Sequence, residues 1–205
     1  MGIVTVSKSL KKAYQEKGFI PYEMYEASAE EFYDAITSGK QNNLYGMFVT
    51  RHELEDYLKM DTLLLIDKTA GIAVEEDGNI VSVFNGGGNK YVLRTMLPIA
   101  IEYGGCKLDN FNSKRLSAMY ESYGFIPVAK VKFDRRFAPS DWNYERDGEP
   151  DIVFWIHNGD SASTVIRNFA AYTNDWSKIK AFRNYDEAKA YRDSLLNKNT
   201  SFLNV

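Results

Sequence analysis

The sequence predicts an α/β fold: a mixed, mostly antiparallel sheet flanked by helices, with a C-terminal α extension. Three observations carry that prediction. Thr62 to Phe84 holds three apolar runs with short links, which reads as an antiparallel meander. Beyond it, helical and strand-like patterns alternate as far as His157. The strand–helix–strand unit from Ile80 to Phe111 is long enough for its two strands to run parallel. Hydrophobic residues make up 44% and aromatic residues 14% of the 205 positions. That much apolar surface calls for a packed core rather than disorder.

Each element has a local cause. Residues 1–21 read as an N-terminal arm, in which Ser7–Lys17 is a short basic helix ended by Gly18. Pro21–Ala27 alternates like a first strand. Ser28-Ala-Glu-Glu31 is a capping box: the serine accepts from a helix N–H and the glutamate reaches back. That helix runs to about Thr37, and Ser38–Asn43 is a polar loop. Thr50-Arg-His-Glu53 has the same pattern and predicts a helix to about Met60. Thr62–Asp67, Ala70–Glu75 and Asn79–Phe84 are strands. Asp77-Gly78 joins the last two, because both residues tolerate positive φ.

After Phe84 come Asn85, the triplet Gly86-Gly87-Gly88, and Asn89-Lys90. Val92, Met96, Ile99 and Tyr103 then share one helical face. Pro98 removes a backbone hydrogen bond there and predicts a kink or an end to the regular helix. Gly104-Gly105 stops it. Cys106–Phe111 is a strand, Ser113–Tyr123 a helix closed by Gly124, and Phe125–Phe133 another strand. Asp134–Asp151 is a long polar and aromatic loop, and Ile152–His157 is a wholly apolar strand. Residues 158–205 form the extension: a helix over Ser161–Tyr172, a short strand or extended link over Lys178–Phe182, and a helix from Asn184 to about Leu196. The polar end is expected to fray.

Composition narrows the function. A net charge of −3 without a basic block gives no electrostatic basis for nucleic-acid binding. A single cysteine, Cys106, excludes an internal disulfide and fits a reducing cytoplasm. No apolar stretch reaches membrane-spanning length, and no signal-peptide pattern is present. Val6 stands where N-myristoylation needs Ser or Thr. His52 and His157 have no neighbouring Cys or His in sequence, so no metal site is expected. Cys106 reads as a small core residue.

One segment points to a family. Met119-Tyr-Glu-Ser-Tyr-Gly-Phe125 is similar to the "YExxGF" ending of the fourth helix in the GNAT superfamily of N-acetyltransferases. The hairpin Gly71–Asn85 resembles that family's central strands, and the helix before Gly104-Gly-Cys-Lys-Leu-Asp-Asn-Phe111 resembles its third helix. The run from Gly124 through Trp155 also resembles GNAT-like proteins of bacteriophages and prophages. The resemblance makes residues 22–157 a GNAT-like domain. It implies acetyl-CoA in a cleft where two parallel strands splay, with the pyrophosphate on backbone N–H groups at the start of the third helix. Val83, Phe84, Gly86, Gly87, Gly88, Asn89 and Lys90 would then bind cofactor, and Asn112 (or Asn110) would touch the pantetheine arm. Glycine suits such a role because it lets the backbone approach a phosphate closely. By the same resemblance, Tyr120 would protonate the departing CoA thiolate, and Asp109 is the best-placed general base. The acceptor would be an amine on a small molecule or protein, and the setting the cytoplasm, that of a host cell if the chain is phage-encoded.

Two function classes stay open. One is an acyltransferase moving acetyl from acetyl-CoA directly to an amine. The other is a catalytically inactive GNAT-like interaction module. A phosphate- or nucleotide-binding enzyme of another kind is a weaker third, since no Walker Gly-Lys-Ser/Thr is present. Each candidate also has a structural alternative. The glycines read equally as a flexible turn, Tyr120 as a core aromatic, and Asp109 as a helix cap. The Asp134–Asp151 loop reads as a docking surface or as a lid packed on the sheet.

Overall fold

The computed structural model describes residues 2–140 and 142–202, with 198–202 described as backbone only. Its strands are β1 (Gly2–Ile3), β2 (Met24–Glu26), β3 (Met60–Leu65), β4 (Ala70–Glu75), β5 (Ile80–Asn85), β6 (Lys107–Phe111), β7 (Phe125–Val131), β8 (Ile152–His157) and β9 (Lys180–Phe182). Its helices are α1 (Lys8–Lys17), α2 (Ala29–Gln41), α3 (Leu54–Tyr57), α4 (Leu93–Glu102), α5 (Lys114–Ser122), α6 (Tyr144–Asp147), α7 (Ala162–Arg167) and α8 (Tyr185–Phe202). The chain divides into two compact units: Met1–Cys106 with Gly159–Phe169, and Lys107–Asn158 with Ala170–Val205.

The first unit holds a five-stranded sheet in the order β1-β2-β3-β4-β5, antiparallel throughout. The meander is as expected. Its second hairpin closes through Gly78 at φ 80, with the Asn79 N–H donating to the Asp77 carboxylate at 3.1 Å. β4 is buried from Ala70 through Val74, so both of its faces are covered. On one face Tyr25, Leu64 and Phe84 meet Phe32 and Ile36 of α2 and Tyr57 of α3. The α2 capping box is complete: Glu31 N–H donates to the Ser28 hydroxyl, and Ser28 N–H to the Glu31 carboxylate.

Several expectations are corrected here. α2 continues to Gln41, so the polar loop starts later than Ser38. The capping box at Thr50–Glu53 does not form. α3 begins at Leu54, its N-cap is Glu53, and it has no side-chain cap. Thr50 instead offers its carbonyl to the Ser82 hydroxyl at 3.0 Å, and His52 N–H donates to the Tyr57 hydroxyl at 3.1 Å. Ser82, distant in sequence, and Tyr57 of α3 take these groups. β5 and β6, expected as parallel strands of one mixed sheet, belong to different sheets.

The residues expected as an arm carry β1 and α1. Leu10, Ala13 and Tyr14 of α1 pack with Ala162 and Ile166 of α7. The residues expected as one extension are thus shared: α7 lies in the first unit, β9 and α8 in the second. α7 stops at Arg167, short of Tyr172. Pro98 sits inside α4, which stays helical on both sides of it. Its missing N–H leaves the Arg94 carbonyl without its helical donor. The Tyr14 hydroxyl donates to that carbonyl at 2.8 Å, which ties α1 to α4.

The second unit holds a four-stranded sheet, β6-β8-β7-β9, with only the β7–β9 pair parallel. The β7–β8 register shifts between Pro127 and Ala129. A bulge is where a strand tolerates a residue without an N–H. Ala188 of α8 packs on Ala129, Val131 and Phe154. Ser113 caps α5 and Gly124, at φ 81, follows its end, as expected. α8 extends to Phe202, past Leu196, so residues 197–202 are helical where fraying was expected; residues 203–205 lie outside the described residues. Within the Asp134–Asp151 loop, Trp142 is buried between Phe111 and Phe133, with centroids at 4.8 and 5.0 Å. That ring packs down rather than standing open. Among the described residues, no helix is long and apolar enough to cross a membrane.

Candidate functional site

The glycine triplet follows β5, but α4 begins only at Leu93. Two of the three glycines have a packing reason and the third a conformational one. A Cβ on Gly86 would lie 2.5 Å from the Gly39 Cα of α2, so helix and loop backbones touch there. A Cβ on Gly87 would lie 2.7 Å from the Thr69 Cβ. Gly88 stands at φ 66, the left-handed region. The donors of the first two are also engaged. Gly86 and Gly87 N–H both donate to the Thr69 carbonyl, at 2.8 and 3.2 Å. Asn89 N–H donates to the Asn85 side chain at 3.0 Å, and the Asn85 amide returns a bond to the Asn89 carbonyl at 2.9 Å. The Asn89 amide closes the loop on the Thr69 hydroxyl at 2.7 Å.

The cavity beside Gly86 and Gly87, about 550 Å³, is lined by Glu31, Asp34 and Asp67 against one cation, Lys68. Lys68 is already paired with Glu31 at 2.9 Å. That pairing, and the Ser28 N–H, hold the Glu31 carboxyl below the usual carboxylate range. A cavity of this charge disfavours a pyrophosphate.

Of the strand residues expected at the cofactor, Phe84 is buried, its ring 5.8 Å from that of Phe32, and Val83 is half-buried. Ser82 and Val83 both stand opposite Ile72, because the β4–β5 register shifts between Gly71 and Ala73. Ser82 takes φ 53 there. For a non-glycine residue this conformation costs about 1–2 kcal/mol. The Tyr57 hydroxyl at 2.8 Å and the Thr50 carbonyl anchor it.

In the second unit, Tyr120 is 6% exposed, its ring edge-on to Phe125 and tilted against Trp155. Burial, and then the negative charge of Asp109, push its phenol above the ordinary value. Asp109 accepts from the Tyr185 hydroxyl at 2.9 Å and faces the Arg192 guanidinium at 3.8 Å. Asn112 accepts from the Ser117 hydroxyl at 2.9 Å, and Asn110 from the Trp155 indole at 2.6 Å. The helix cap once weighed for Asp109 belongs to Ser113.

This corner contains a buried charge network that sequence reasoning missed. Arg192 is fully buried and donates to Asp193 at 2.9 Å, and buried Lys107 pairs with Asp193 at 3.3 Å. Burial pulls the Asp193 carboxyl upward, but Arg192 and Lys107 outweigh it, and the net shift is downward. The signals were a lysine on an apolar strand and an Arg-Asp pair in the last helix. Neither is distinctive alone.

A second missed feature lies in the first unit. Lys90, Tyr91 and Arg94 face Phe19, Ile20 and Tyr22 across a groove of about 450 Å³. The Arg94 guanidinium sits over three rings: Tyr91 at 4.3 Å, Phe19 at 4.4 Å and Phe169 at 5.2 Å. Tyr91 is 70% exposed and held at φ 60. Among the described residues, no group of three or more His, Cys, Asp or Glu is placed to hold a metal ion. Compared with protein-family models, with curated proteins and with solved structures, the chain matches none.

Proposed function

We propose that the chain is a GNAT-like binding module that does not turn over acetyl-CoA. One observation carries this reading: three of the backbone donors that would cradle a pyrophosphate are already bonded within the protein. The N–H groups of Gly86, Gly87 and Asn89 are bonded to the Thr69 carbonyl and the Asn85 side chain. A phosphate would have to displace these bonds beside three carboxylates. The Tyr120 hydroxyl, set among Phe125 and Trp155, reads as part of a packed aromatic core. Asp109 is committed to Tyr185 and Arg192.

The test is direct and site-specific. The backbone amide resonances of Gly86, Gly87 and Asn89 are followed while acetyl-CoA is added to millimolar concentration. The module reading expects them to stay in place. Saturable movement of these three amides would overturn it.

The acyltransferase reading keeps one observation in its favour, the bulge at Ser82 and Val83. Bulges concentrate next to active sites, where they re-aim backbone and side chains. Under that reading the three amides move, and Tyr120→Phe slows turnover without weakening acetyl-CoA binding. Under the module reading no turnover is measured for either chain.

A further inference from the structure

We propose that the groove between Phe19–Tyr22 and Lys90–Arg94 binds a nucleoside monophosphate, with the phosphate on Arg94 and Lys90 and the base on the exposed tyrosine rings. The argument starts from where the donors of Arg94 go. Its guanidinium carbon lies over the rings of Phe19, Tyr91 and Phe169. Its in-plane N–H fork makes no hydrogen bond or ion pair to a described residue. Lys90 is exposed, and its ammonium likewise has no such partner. A guanidinium held against three rings has restricted freedom, and its planar fork matches the oxygens of a phosphate.

The surroundings agree with that charge. None of the described residues lining the groove is acidic, in contrast to the cavity beside the glycines. The other lining groups are aromatic and aliphatic, and they stand unusually open. Ile20 is 94% exposed, Tyr91 70% and Tyr22 39%. The Tyr22 hydroxyl donates to the Lys90 carbonyl at 3.0 Å, and its N–H donates to the Thr95 hydroxyl at 3.0 Å, so the two walls are joined. The Tyr14 hydroxyl on the Arg94 carbonyl fixes the arginine's backbone. A volume of about 450 Å³ lies within the range of small-molecule sites, roughly 300–1,000 Å³. Two cations suit a phosphate dianion, and exposed rings offer stacking faces for a planar base.

The experiment titrates the full chain with AMP, with adenosine and with inorganic phosphate, reading heat of binding and thermal midpoint. AMP is expected to bind and raise the midpoint, and each half alone to bind far more weakly. Arg94→Gln should weaken AMP by about tenfold or more, since a charge-assisted bond is lost. Lys90→Gln, at an exposed position, should weaken it a few-fold and serves as the second variant if Arg94→Gln folds poorly. Absence of an AMP effect at millimolar concentration overturns the proposal. So does undiminished AMP binding by Lys90→Gln and by any folded Arg94→Gln. Phosphate binding as well as AMP also overturns it, leaving no role for the rings. The glycine amides provide an independent readout: they report on acetyl-CoA at the loop whichever way AMP behaves.

Discussion

Two arginines divide the roles in this molecule. Arg192, in the second unit, is fully buried and turned toward carboxylates: Asp193 at 2.9 Å and Asp109 at 3.8 Å. Arg94, in the first unit, is half-buried and turned toward rings, with no ion pair to a carboxylate among the described residues. The first has its charge answered within the fold. The second has its charge held in place and left unanswered. Where the partners of a polar group lie separates scaffold from site more reliably than residue type does. The glycine loop follows the same rule at three backbone donors: the Gly86 and Gly87 N–H groups are answered by Thr69 and that of Asn89 by Asn85, so this part of the loop sides with Arg192.

The largest effect should come from the answered charge. Arg192→Met takes the guanidinium away from Asp109 and leaves Asp193 to Lys107, and should lower unfolding free energy by about 3 kcal/mol in a urea titration. A loss within error would place the network outside the scaffold and blunt the comparison. Next is Gly86→Ala, whose Cβ would press on the Gly39 backbone. Overpacking of this kind costs about 1–3 kcal/mol, and the same titration measures it. A neutral result would show that loop and α2 have room, and that the triplet needs another explanation.

Tyr14→Phe removes the donor that serves the carbonyl freed by Pro98, at a cost of about 1 kcal/mol. In a Pro98→Ala background the helix supplies its own donor, so the tyrosine change should cost less. A double-mutant cycle with no coupling would disconnect the two residues. Arg94→Gln gives up stacking at a partly exposed site, so its stability loss should stay near or below about 1 kcal/mol, well under that of Arg192→Met. Equal losses would erase the distinction between the two arginines.

The smallest effect is at Glu31, whose carboxyl is held low by Lys68 and by the Ser28 N–H. A depressed folded-state value adds stability above the unfolded value of about 4.3 and loses it as pH falls through the folded one. Glu31→Gln should therefore lower the thermal midpoint slightly at pH 7 and converge with the parent chain near pH 2. A difference that persists in acid would assign the loss to the glutamine side chain rather than to charge.

Much of this architecture is written locally. Ser28 and Glu31, Asp77-Gly78 and Ser113 act on backbone groups a few residues away, and their elements appear where the pattern places them. What escaped depends on contacts distant in sequence. Thr50 looks like a cap until Ser82 takes its carbonyl. Pro98 looks like a helix end until Tyr14 bonds the carbonyl it frees. The site was harder still. The triplet announced flexibility and phosphate access, yet two of the three glycines answer to Gly39 and Thr69 and the third to a left-handed turn. Lys90 was expected at the glycine loop's cofactor, whereas it lines the groove with Tyr22 and Arg94. Arg94 carries no local signal, because two of its rings, Phe19 and Phe169, come from segments far apart in the chain.

The most direct test of the account is an amide spectrum recorded with acetyl-CoA. The bonds to Thr69 and Asn85 predict that Gly86, Gly87 and Asn89 keep their resonances at millimolar acetyl-CoA. Saturable displacement of those three resonances would mean that the loop releases its own bonds for a phosphate, and would contradict the reading of this chain as a module without acyl turnover.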